Sequence, residues 1–86
     1  MADASILDDI LKELKRAKKK HPSWPDHIVA RAGIVCEEAG ELIRECIQIK
    51  YEGPFTAEDL QERKQMIRKE AIHVAATAIR FLESIK

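Results

Sequence analysis

Every proline in the chain falls in one of two short stretches, and that placement limits the possible folds more than any other feature of the sequence. His21-Pro22-Ser23-Trp24-Pro25-Asp26 and Gly53-Pro54-Phe55-Thr56 are where helix must be interrupted, because proline removes a backbone donor and restricts the residue before it. Three helical segments remain, and nothing in them alternates as a strand does. The first opens with Ser5 and Asp8 in capping-box spacing, carries Leu7, Ile10, Leu11, Leu14 and Ala17 on one face, and closes with Lys18-Lys19-Lys20, cations suited to a helix C-terminus. The second begins near Asp26 and runs to about Tyr51; Gly33 and Gly40 within it lower helix propensity by roughly 1 kcal/mol each without forcing a break. The third starts at Thr56, with Asp59 three residues on, and meets no Gly or Pro before Lys86.

The 86 residues amount to one domain, 1–86, since domains usually need roughly 100–200 residues. An apolar fraction of 45% beside a charged fraction of 35% places the chain among folded proteins. Fifteen basic residues balance fifteen acidic ones, which removes the long-range field of a general nucleic-acid or anionic-membrane binder. No apolar run approaches the roughly 20 residues that span a bilayer, and Met1 to Asp9 carries three Asp and no basic residue, unlike a signal peptide. Cys36 and Cys46 share one helix at a separation of about 15 Å, beyond disulfide reach. Reduced thiols and a cytoplasmic location are the expectation.

Two of the helices are apolar on more than one side. On the second, Ile34, Val35, Leu42 and Ile49 form one face while Ala32, Cys36, Ile43 and Ile47 lie roughly opposite, taking about 100° per residue. The third has Ile67, Val74, Ala78 and Leu82 on one face and Ile72, Ala75 and Ile79 turned away from it. Three helices of this length cannot cover so much apolar surface, so the expected architecture is an all-α helical bundle completed by homo-oligomerisation, as a homodimer or homotetramer.

The informative residues are acids in an apolar setting. With Glu38 at zero on the helical wheel, Ile34, Glu41, Glu45, Leu42 and Val35 all fall within about 60° of it. Amphipathic design puts Glu on the far side, because a buried carboxylate needs something positive to hold it. The third helix repeats the anomaly: Glu70 and His73 share a face with Met66, Thr77 and Phe81. Acid pairs at i, i+3 on facing helices converge on a cation in carboxylate metal sites built inside bundles. Their bland reading is an ion pair, Glu38 and Glu41 meeting Arg31, Arg44 or a Lys, with His73 a hydrogen-bonded core residue.

Glu37-Glu38-Ala39-Gly40-Glu41-Leu42, followed by Glu70-Ala71-Ile72-His73, resembles the MazG-like proteins of the all-α NTP pyrophosphatase superfamily, whose signature is EExxE with a downstream ExxD. The similarity runs from roughly Trp24 to Glu83, and Gln48, Lys50 and Gly53 extend it past the first motif. It implies Mg²⁺, with Mn²⁺ as the alternative, held by Glu38, Glu41, Glu70 and His73. It also implies hydrolysis of a nucleoside triphosphate to monophosphate and pyrophosphate, a nucleotide-pool house-cleaning activity, with Glu37, Glu38 or Glu41 taking the proton of the attacking water. Trp24 stands where related enzymes place an aromatic against the nucleobase, and Lys50, Arg63 and Arg80 are the cations for phosphate contacts. The chain departs from the signature at its last position, where His73 replaces Asp. An imidazole brings a neutral nitrogen in place of an anionic oxygen and suits Mn²⁺ or another transition ion better than Mg²⁺. Three roles stay open for it: a ligand, a contact to phosphate or metal-bound water, or the mark of a lost ligand.

Two readings compete with the enzyme. One is a non-catalytic helical interaction or regulatory homo-oligomer with a degenerate metal site. The other is a nucleic-acid binder using Lys12, Lys15, Arg16, Lys18, Lys19 and Lys20, although those residues occupy the polar side of the first helix, where lysine ordinarily belongs. Neither a membrane nor a nucleic acid is the expected partner.

Overall fold

A computed structural model of the chain describes residues 4–85; Met1–Asp3 and Lys86, the ends of the expected domain, lie outside it. Its elements are three α-helices, α1 (Ala4–Lys20), α2 (Ile28–Tyr51) and α3 (Ala57–Ser84), and the described residues contain no strand. None of the helices is long and apolar enough to cross a membrane.

The helix ends follow local chemistry, with two departures from the sequence expectation. Thr56 caps α3 in a full capping box: its hydroxyl accepts from the Asp59 N–H at 3.0 Å, and the Asp59 carboxylate accepts from the Thr56 N–H at 3.4 Å. α2 starts two residues later than Asp26, at Ile28, because His27 is the cap; its Nδ1 accepts from the Val29 N–H at 3.2 Å. Ser5 falls inside α1, one residue past its first. Serine costs little within a helix, so nothing obliges α1 to begin there.

α3 lies between the other two helices and packs against both, while α1 and α2 do not pack on each other. Pairings down the molecule fix the directions. Arg31 with Ser84 and Gln48 with Arg63 make α2 and α3 antiparallel. Asp9 with Arg68 and Lys18 with Glu83 make α1 and α3 parallel. The bond from Arg31 to the Ser84 carbonyl, together with a second to the Pro25 carbonyl, anchors the start of α2 to the end of α3.

Packing inside this one chain is thin. Among the described residues, Leu14 and Ala76 are the buried apolar ones, and the radius of gyration of 14.7 Å exceeds the roughly 12 Å usual for a compact domain of this length. On α2 the Ile34, Val35, Leu42, Ile49 face is half-buried against α3, whereas Ile43 and Ile47 on the opposite side are 57% and 47% exposed. On α1, Leu14 is buried but Leu7 and Leu11 are half or more exposed. Both cysteines are free, and Cys36 is exposed on the open side of α2.

Candidate metal centre

Antiparallel packing of α2 on α3 brings the two anomalous i, i+3 pairs to the same level. Glu38, Glu70 and His73 each offer a ligand atom, all within 4.8 Å of one another. His73 Nδ1 is 3.7 Å from Glu38 Oε2 and 3.6 Å from Glu70 Oε2. These two carboxylate oxygens are shielded from solvent and accept no hydrogen bond, a costly state for a charged acceptor unless a cation or proton meets it. Glu41 stands close to both, and its charge raises the proton affinity of Glu38 and of Glu70.

Burial is the first cause that lifts both carboxyls above the ordinary glutamate range, with Glu41 the next and the His73 imidazole opposing. Among the described residues, Glu38 and Glu70 pair with His73 and with no lysine or arginine. Arg31, one of the cations that would have made an ordinary ion pair with Glu38, spends its guanidinium on Pro25 and Ser84.

A fourth member of the cluster comes from α1. Glu13 Oε2 lies 3.6 Å from His73 Nε2, on the outer side of the ring, and the Arg16 guanidinium grips both Glu13 oxygens, at 2.8 and 2.5 Å. That grip, more than the nearby His73, holds the Glu13 carboxyl below the usual range. Little in the sequence signalled it: Glu13 stands on the polar border of the α1 stripe, with Ala17 and Ile10 about 40–60° to one side and Asp9 and Arg16 to the other.

The cluster borders a cavity of about 460 Å³ whose wall includes Glu13, Glu37, Glu38, His73, Thr77, Trp24 and Arg80. Trp24 and Arg80 arrive together. The Arg80 side chain is buried, its guanidinium carbon stands 4.6 Å from the centre of the indole, and its Nη2 donates to the His21 carbonyl at 2.6 Å. Cation–π contact and a charge-assisted bond thus tie the loop between α1 and α2 onto α3. Trp24 Nε1 is buried and donates to nothing.

Lys50 and Arg63 are placed elsewhere. Arg63 donates to Gln48 Oε1 at 2.9 Å and stacks 4.5 Å from the Phe55 ring; it sits about 10 Å along α3 from Glu70, two turns away. Lys50 reaches over Tyr51 at the end of α2. Glu37 is exposed at the cavity rim. Of the expected site residues, then, Glu38, Glu41, Glu70 and His73 gather near mid-length of α2 and α3, Glu37, Trp24 and Arg80 line the adjoining cavity with Glu38 and His73, and Lys50 and Arg63 lie toward the opposite end. Comparison of the chain with protein-family models, with characterised proteins and with solved structures gives no match, so what this site does has to be argued from its own geometry.

Proposed function

We propose that this chain is a metal-dependent nucleoside triphosphate pyrophosphohydrolase that converts a (d)NTP to (d)NMP and pyrophosphate, with Mg²⁺ or Mn²⁺ held by Glu38, Glu70 and His73 and with Glu41 beside them. One observation carries the reading: two shielded carboxylate oxygens, on facing helices and without hydrogen-bond partners, point at one imidazole beside a cavity that also holds Trp24 and Arg80. The donor set fits a divalent cation, because oxygen ligands suit Mg²⁺ and Mn²⁺ and an added nitrogen favours the latter. When bound, such an ion would neutralise triphosphate charge and lower the pKa of a coordinated water.

The residues then divide the work. Glu37, exposed at the rim, Glu38, or Glu41, next to the cluster, would take the proton from an attacking water. Arg80 offers a buried positive charge toward the anionic part of a substrate, and its presence on one side of the Trp24 ring leaves a nucleobase only the other side to stack on.

A second copy of the chain is the proposed cover for the outer side of α2 and the free part of α1. The exposed Ile43, Ile47, Leu7 and Leu11 form the kind of uncovered apolar surface that soluble monomers seldom retain. A pyrophosphate-release screen over common and modified dNTPs, in Mg²⁺ and in Mn²⁺, tests the activity. Hydrolysis to monophosphate that disappears in Glu38→Gln supports it. Silence with every nucleotide and both metals would leave the interaction module as the better account.

A further inference from the structure

Glu13 faces the opposite side of the imidazole from the other acids, and that position defines a role. Glu38 and Glu70 approach Nδ1, whereas Glu13 approaches Nε2 at 3.6 Å. The two ring nitrogens point away from each other, so an ion held by Glu38, Glu70 and Nδ1 lies beyond the reach of Glu13. A second cation on the Glu13 side would sit against the Arg16 guanidinium, which already occupies both Glu13 oxygens; like charge excludes it. What remains for Glu13 is the proton of His73.

We propose that Glu13 is a positioning residue: from 3.6 Å, an ion-pair separation longer than a hydrogen bond, its charge draws the ring proton to Nε2 of His73 and so leaves the lone pair of Nδ1 for an ion held with Glu38 and Glu70. A neutral imidazole carries one proton on either nitrogen, and only the bare nitrogen binds a metal. The carboxylate behind a ligating histidine selects the tautomer and fixes the ring plane. A carboxylate at position 73 would have no such proton to place; an imidazole there requires a negative group behind it, and α1 supplies one. Arg16 completes the chain of contacts by holding Glu13 in register. α1 thereby acquires a part in the site although it contributes no ligand.

The inference rests on the metal reading above, and two measurements keep the two apart. Isothermal titration with Mn²⁺ alone should give a dissociation constant about 10–100-fold weaker in Glu13→Ala than in the parent, the usual consequence of losing such an outer partner, with Glu13→Gln in between because its amide oxygen still presents a negative dipole to Nε2. Equal Mn²⁺ affinity in parent and Glu13→Ala overturns the proposal. ¹⁵N NMR of the His73 ring in metal-free protein at alkaline pH should show a smaller Nε2–H fraction in Glu13→Ala than in the parent; an unchanged ratio also overturns it. If the parent binds no Mn²⁺ at all, the metal reading fails, while the tautomer ratio still decides the role of Glu13. Should Glu13→Ala not fold, Glu13→Asp, which withdraws the carboxylate by one methylene, must still weaken Mn²⁺ binding, and undiminished affinity there counts against us.

Discussion

The two sides of α2 are unfinished in different ways. The side against α3 half-buries Ile34, Leu42 and Ile49 beside Glu38 and Glu41 and leaves a carboxylate oxygen shielded from water with nothing donating to it. The opposite side leaves Ile43 and Ile47 bare. Shielded charge calls for a cation or a proton, since desolvation of a carboxylate is uncompensated without one. Bare methyl groups call for another surface, since each buried Å² of apolar area stabilises by roughly 25 cal/mol. One helix therefore presents two different demands, and each can be tested separately from the other.

The largest effect should appear on the inner side. Mn²⁺ at about 100 times its dissociation constant stabilises a folded state by about 2.7 kcal/mol, which for a domain of this size raises the melting temperature by roughly 10–20 °C. Thermal melts of Glu38→Gln and Glu70→Gln should show no such rise; a full rise in both would break the contrast between the two sides.

Without metal, the inner side should respond to pH with a definite sign. The folded-state proton affinities of Glu38 and Glu70 are raised, so their stabilising contribution is complete below the ordinary glutamate value and is lost as pH climbs through the raised one. Metal-free melting temperature should accordingly increase as neutral solution is acidified toward that value, and Glu38→Gln should flatten the increase. Glu13 acts the other way: held low by Arg16, it loses its contribution only as pH falls through its depressed value. A melting temperature that drops steadily from neutral pH downward would show the carboxylates already satisfied.

The outer side is sharpened by charge. Ile43→Asp with Ile47→Asp should move the chain to its monomer mass of 9.8 kDa in light scattering while leaving the Mn²⁺ response in place. Next in size is Arg80→Ala, which removes the partner of the His21 carbonyl and of Trp24. It should cost about 1–3 kcal/mol and shift the tryptophan fluorescence. The smallest expected effect is at Thr56→Ala, where loss of the cap costs about 1 kcal/mol, seen as a lower melting temperature with metal response and mass unchanged.

Much of this was legible in the chain itself. Two proline-bearing stretches separate three helices, Thr56 and Asp59 announce the start of α3, and the acids on apolar faces of α2 and α3 mark the cluster, because helical periodicity and capping act over a few residues and can be read without knowing the fold. Other features needed long-range contacts. Arg63 shares a face with Glu70, yet Gln48 and Phe55 hold its guanidinium two turns away. Arg80 is buried because the loop folds back and sets Trp24 over it. Glu13 joins the cluster only because α1 runs parallel to α3 at the level of His73. Periodicity says which side of a helix is unusual, whereas which residues from separate helices stand opposite one another depends on the register and direction of packing, and that register was decided by tertiary structure alone.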